Sequence, residues 1–245
     1  MNQITEVVKQ LLIVNVILFI GTYFVPALMD YLPMYYFENP GFQFWQPLTH
    51  MFMHANVWHI LFNMFALYSF GSVLEQIWGG KKFLLFYILC GLGAAVLHTA
   101  VNYWQVHEVV NTLVSKGFRA EDIFDLINKS MIDRRWPSES VQALQSSYFS
   151  VTMGASGAIY GLLVAFAFMF PNAGLALIFI PVPIKAKYFV PVLLAYDLIS
   201  GVSGSSIFSF GGGIAHFAHI GGAIVGFLLM WTWKKKQFDK YRWDR

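Results

Sequence analysis

In the stretch VTMGASGAIYG, residues 151–161, Ser156 stands among small residues at the opening of a long apolar run. A serine hydroxyl is inert at neutral pH until a base takes its proton, and histidine is the usual base. Two other stretches supply histidines. HMFMHANVWHILFN carries His50, His54, His59 and Asn63, and HFAHIGGAIVG carries His216 and His219. The chemistry such a set can do is nucleophilic attack by Ser156 with His219 as base. His59 and Asn63 are one helical turn apart, as are Ser156 and Tyr160, so each pair lies on one helix face. No carboxylate stands at helical spacing from His219, which predicts a dyad and not a triad. Asp197 is the only candidate third member, and a hydrogen-bonded structural role near the end of its span fits it better. Taken singly, each residue has a plainer reading: Ser156 as a capping or packing residue, His59 as a packing histidine, His50 and His216 as structural or interfacial.

The elements that must position these side chains are membrane spans. Soluble domains carry about 25% charged residues. This chain carries 12%, with 57% hydrophobic residues and a mean hydropathy of +0.56. A span needs roughly 20 mostly apolar residues, and six segments qualify: about 10–29, 55–76, 83–103, 153–171, 187–203 and 212–233. The first has a weak basic front end at Lys9 and no small-residue cleavage motif behind it, so it reads as a retained span and not a signal peptide. Lys9, Lys81, Lys82, Lys185, Lys187 and the tail residues Lys234, Lys235, Lys236, Lys240, Arg242 and Arg245 all fall on one side of a six-span arrangement. That asymmetry predicts cytoplasmic termini. Glu75, at the inner end of the second span, reads as interfacial.

In this topology the second, fourth and sixth spans enter from the outer face. His59, Asn63, Ser156 and His219 then lie within roughly the first 15 Å below it, at 1.5 Å of rise per residue. Polar groups in a membrane are costly, and convergence at one depth is not expected of scattered structural residues. Gly157 and Gly161 form one small-xxx-small pair and Gly222 and Gly226 another, each directly after a candidate catalytic residue. Such pairs let helices approach closely.

The composition breaks once, at about 104–150, where polar residues gather. AEDIFDLINKSM (120–131) has a helical apolar period, and Pro137–Ser138 marks a second helix start. The chain therefore reads as a single membrane domain, 1–245, with an extracytoplasmic helical insertion between spans 3 and 4. Cys90, the sole cysteine, excludes an intramolecular disulfide framework. The basic tail reads as a topological anchor against the bilayer, with specific anionic-lipid binding the lesser alternative, and no nucleic-acid partner is expected. Clustered histidines raise a second class, a metal- or haem-binding membrane protein. No H-E-x-x-H occurs and no acid accompanies the histidines, so no metal and no cofactor are expected.

GASG with Tyr160, AHIGG after a long loop, and HANVWHILFN on the second span closely resemble the rhomboid family of intramembrane serine proteases. The resemblance covers the six-span core and implies an all-α polytopic membrane protein with a six-helix bundle. It implies Ser156 as nucleophile and His219 as base, with Tyr160 packed on the imidazole. His59 and Asn63 would donate to the oxyanion together with the Ser156 backbone amide. His54 would order the first external loop, and Gly154, Gly157 and Gly222 would support the site. Substrates would be transmembrane proteins cut in or near a span, in a bacterial inner membrane. A rhomboid-like binder that does not cut is the remaining alternative. One departure stands out: Trp45-Gln46 where the family often has Trp-Arg.

Overall fold

The computed structural model describes residues 4–177, 180–203 and 215–240. In chain order the helices are α1 (Glu6–Phe24), the short α2 (Leu28–Tyr31) and α3 (Gln46–Thr49), a 3-10 turn (His50–Phe52), and α4 (Val57–Ala66). A π turn (Leu67–Gly71) joins α4 to α5 (Ser72–Trp78), followed by α6 (Gly80–Ser115), α7 (Ala120–Asn128), α8 (Ser138–Ser147) and α9 (Ser156–Met169). After β1 (Gly174–Leu177) and β2 (Ile180–Lys185) come α10 (Ala186–Ser203) and α11 (Ala215–Lys240).

Among the described residues four helical segments are long and apolar enough to cross a membrane: Glu6–Phe24, Val57–Trp78, Gly80–Ser115 and His216–Trp233. Ser156–Met169 is apolar but shorter. At 1.5 Å per residue its 14 residues rise only about 21 Å. The first helix ends at Phe24 and not near residue 29, because Pro26 follows and cannot continue it. An antiparallel hairpin, with Gly174 opposite Lys185 and Leu177 opposite Ile180, joins α9 to α10. The wholly helical expectation is therefore corrected to a mostly helical one. A short apolar run carries no periodicity that separates strand from helix.

Close approach of backbones sets the directions of the central helices. A Cβ at Gly157 would meet Ala94 at 2.4 Å, and one at Gly161 would meet Cys90 Sγ at 2.4 Å, so α9 runs antiparallel to α6. A Cβ at Gly222 would meet the Gly157 carbonyl and one at Gly226 the Gly161 backbone, so α11 runs parallel to α9. His59 lies beside Gly154, and Phe70 packs edge-on against Phe166 at 5.1 Å, which makes α4–α5 parallel to α9 too. The core between them holds Met51, Leu67, Leu74, Phe83, Phe86, Tyr87 and Leu162.

Glu75, near the end of the second long segment, is buried by the fold, with 6% of its surface exposed. It accepts hydrogen bonds from the Val7 and Val8 amides at 3.0 and 2.9 Å and from the Thr5 hydroxyl. A carboxylate there satisfies orphan amides of the first turn of α1 and meets the positive end of its dipole.

The polar insertion is less separate than its composition suggests. At 36 residues α6 is about 54 Å long, well beyond the ~30 Å of a bilayer core. Its far end contributes Val106, Val109, Val110 and Leu113 to a second core with Ile123, Ile127, Trp136, Leu144 and Tyr148. Tyr36, from the segment after α2, completes that core. The Tyr148 hydroxyl bonds to Asn128 and to the Glu38 carbonyl, and burial, then Glu38, pushes it up to about 12. Helix α8 begins at Ser138 after Pro137, where the sequence marks a start.

Candidate active site

Ser156 is the first residue of α9, so its backbone N–H has no intrahelical acceptor and points from the positive end of the helix. Its side chain is only partly buried. His219 sits one turn into α11 and brings Nε2 to 2.9 Å from Ser156 Oγ. The Tyr160 ring stacks on the imidazole, with centroids 4.2 Å apart and planes 10° apart. Tyr160 lies one turn after Ser156, so a single helix face holds both the hydroxyl and the plate that restricts ring rotation.

The turn before Ser156 is built to admit His59. Gly154 has φ +129°, a conformation that L side chains rarely adopt. A Cβ there would stand 2.8 Å from His59 Nε2 and 3.7 Å from Ser156 Oγ. His59 is held by its helix start, where Asn56 Oδ1 accepts from the His59 amide at 2.9 Å as an N-cap. The Ala55 amide donates to His59 Nδ1 at 3.4 Å. That assigns the proton of the neutral ring to Nε2, which is the atom facing the turn. Asn63 is buried, and one of its amide protons goes to the His59 carbonyl at 2.9 Å. A side-chain amide has two donors, and among the described residues the second has no acceptor.

Two sets of contacts hold this turn against the rest of the fold. Thr152 pairs with Met34 through both backbone hydrogen bonds, at 2.8 and 2.9 Å, and its hydroxyl bonds to His98 Nε2, to which Asn102 Nδ2 also donates. The Gly154 amide donates to the His50 carbonyl at 2.9 Å. His50 donates from Nδ1 to the Gln46 carbonyl at 3.0 Å, and burial pushes its imidazole down to about 4, keeping it neutral. His54 is buried with its ring edge-on to His59, centroids 5.0 Å apart.

Gln46, the departure from the Trp-Arg pattern, is fully buried and makes four side-chain hydrogen bonds. Its Oε1 accepts from the Tyr35 and Gln43 amides, and its Nε2 donates to the Tyr31 and Gly41 carbonyls. A neutral amide with two donors and two acceptors thus braces the first loop.

Asp197 is where sequence reasoning and structure part. It is 2% exposed, and its Oδ1 faces two imidazoles, hydrogen-bonding to His216 Nδ1 and lying 3.3 Å from His219 Nδ1. The expected structural bond exists, to His216, but the same oxygen also reaches the partner of Ser156. Spacing along one helix cannot reveal a contact between α10 and α11. The available signal was a lone carboxylate in an apolar span. Two imidazoles and a carboxylate are also a donor set that suits divalent cations, and their ligand atoms lie within 4.8 Å of one another. Here both Nδ1 atoms converge on one carboxylate oxygen, the arrangement of hydrogen bonds and not of three donors around a common centre.

Fold and site together define a multi-pass helical membrane protein in which a serine and a histidine from parallel helices are in hydrogen-bond contact. Residues 41–110 and 137–236 match the rhomboid domain, leaving out the middle of the insertion. Rhomboid protease AarA of Providencia stuartii is 30% identical over 195 residues, 76% of this chain and 54% of that protein. The human mitochondrial presenilin-associated rhomboid-like protein is 27% identical over 82% of this chain and 42% of its own length. Mitochondrial rhomboid protein 1 of Saccharomyces cerevisiae is 25% identical over 79% of this chain and 43% of its own. The chain belongs to the rhomboid family. It spans about half the length of the relatives it matches.

Proposed function

We propose that this chain is an intramembrane serine endopeptidase that hydrolyses peptide bonds in or near the transmembrane segments of membrane proteins through a Ser156–His219 dyad. The observation that carries this reading is the 2.9 Å contact between Ser156 Oγ and His219 Nε2 under the stacked Tyr160 ring. His219 takes the Ser156 proton as Oγ attacks the scissile carbonyl carbon. The oxyanion then meets the Ser156 amide, the His59 Nε2–H and the free N–H of Asn63. Collapse of the tetrahedral species breaks the C–N bond, and His219 returns the proton to the departing amine. His219 next activates water against the acyl-enzyme, freeing the acid product and Ser156. A substrate helix must unwind locally first, because its own hydrogen bonds shield the carbonyl.

The topology we propose is six spans, adding Ser156–Met169 and α10 to the four long segments, in a bacterial inner membrane with both termini cytoplasmic. The one-sided Lys and Arg distribution supports that orientation. We read the chain as one rhomboid domain. Its insertion, packed on the segment around Tyr36, would act on substrate entry and not on bond breaking.

The test is incubation of the purified protein with single-span membrane proteins, mapping cleavage by mass spectrometry, beside labelling by a serine-directed fluorophosphonate. Cleavage and labelling confined to Ser156 are expected. A folded protein that binds spans without labelling is a binder, and chelator-sensitive cleavage without labelling is a metalloenzyme.

Asn63 allows a finer check. One oxyanion donor is typically worth about 2.7–4 kcal/mol, or roughly 10²–10³ in kcat. Asn63→Ala should lower kcat by about that range with little change in KM, because the bond matures in the transition state. A variant that loses thermal stability yet keeps near-normal kcat, assayed well below its unfolding temperature, would confine Asn63 to bracing α4 through the His59 carbonyl.

A further inference from the structure

The dyad reading leaves one buried charge-bearing group without a task. Asp197 stands on α10, 2% exposed, in a stretch that is otherwise apolar. Holding His216 would explain a structural bond between α10 and α11. It does not explain why the carboxylate oxygen that takes His216 Nδ1 also lies 3.3 Å from His219 Nδ1, on the side of the ring opposite Ser156. The Tyr160 hydroxyl, whose ring stacks on His219, also interacts with this carboxylate. Asp197 thus faces the two histidines through Oδ1 and the tyrosine that holds His219.

We propose that Asp197 is the positioning residue of His219, holding the imidazole with its proton on Nδ1 and its lone pair on Nε2 toward Ser156, and that His216 in turn fixes Asp197. The inference rests on the protease reading above and extends its dyad to a line of four side chains, Ser156–His219–Asp197–His216. An ionised carboxylate only accepts hydrogen bonds, so each imidazole facing Oδ1 must present an Nδ1–H. For His219 that leaves Nε2 as an acceptor for the Ser156 proton. The 3.3 Å separation is long for the resting state and shortens when His219 carries a positive charge, as catalytic hydrogen bonds do on leaving the apo state. An opposite charge within hydrogen-bond reach favours the charged form of a titratable ring over its neutral form. Asp197 therefore favours the imidazolium formed during attack over the neutral ring, and acts on kcat and not on substrate binding. Tyr160 restrains the plane of the ring, which leaves rotation within that plane to be fixed. A hydrogen bond to Nδ1 does that.

The test uses the full chain in detergent or bilayer, with Asp197→Asn as the variant. In an aqueous serine protease the equivalent change lowers kcat about 10⁴-fold through the wrong tautomer. With Tyr160 still stacked, a loss of roughly 10²–10³ is expected in both kcat and the rate of fluorophosphonate labelling, with KM and thermal midpoint near wild type. Nitrogen-15 spectra of histidine-labelled protein supply a readout that a structural staple would not move. Wild-type His219 should show an Nδ1–H proton strongly deshielded by the carboxylate, and Asp197→Asn should lose that signature. Wild-type labelling and tautomer retained in Asp197→Asn would overturn the proposal and leave the protease reading intact. If the variant fails to fold, the wild-type spectrum decides alone: an Nε2–H tautomer, or an Nδ1–H without deshielding, overturns it. Failure of the wild type to label would instead remove the protease reading itself, and the catalytic role of Asp197 with it.

Discussion

Ser156→Ala is expected to abolish cleavage of a single-span substrate and labelling by fluorophosphonate, and adding His219→Ala should then cost almost nothing further. Both expectations follow from two side chains working as one unit. Without Oγ there is no nucleophile for the imidazole to activate, and without the imidazole the hydroxyl keeps its proton. Residues that act together are grossly non-additive, so the double variant should match the single ones within error. The folded state should survive, because Ser156 is only partly buried at the first position of α9 and the change removes a single oxygen. A measurable further drop from His219→Ala, in protein shown to be folded, would mean that the histidine supports catalysis by a path that does not run through Ser156.

The second large effect is expected at Gly222, far less conspicuous than the site it serves. A Cβ there would stand 1.8 Å from the Gly157 carbonyl oxygen and 2.7 Å from its carbon, both backbone atoms of α9. Neither can rotate away as a side chain would, so Gly222→Ala must move α11 off α9. Overpacking costs about 1–3 kcal/mol, and more where backbone has to shift. His219 lies one turn earlier on α11 and Ser156 immediately before Gly157, so the displacement falls on the 2.9 Å contact. A shift of about 1 Å can cost 10²-fold in rate. Gly222→Ala should therefore lower the thermal midpoint and reduce kcat at least about 10²-fold in the fraction that remains folded. Near-normal turnover at temperatures well below unfolding would show that α9 and α11 are not coupled as tightly as this packing requires.

Most of the membrane architecture is legible in local chemistry. Apolar runs mark the long spans, since a bilayer leaves few other places for them. Lys and Arg positions carry an orientation signal, and helical spacing pairs His59 with Asn63 and Ser156 with Tyr160 before any fold is known. Glu75 was harder, because its burial depends on whether another helix start, that of α1, needs its oxygens. The β1–β2 hairpin and the reach of α6 into the insertion were hidden for a related reason. Short apolar runs and mixed helix surfaces take their state from what they pack against.

Ser156, His219, His59, Asn63 and Tyr160 draw attention together because helical spacing, a shared depth in the membrane and the resemblance to rhomboid motifs coincide on them. Gln46 looked like a defect in a motif, and only the fold shows that one buried amide answers four backbone groups of the first loop. Asp197 is the sharper case. Its nearest partners, His216 and His219, are 19 and 22 residues away on another helix, so no period along the sequence relates them. Their meeting depends on how α10 and α11 pack. Local sequence constrains which face a residue takes on its own helix. Which faces oppose one another is set by the packing of all the helices together, and that is why the company kept by Asp197 was settled by tertiary structure alone.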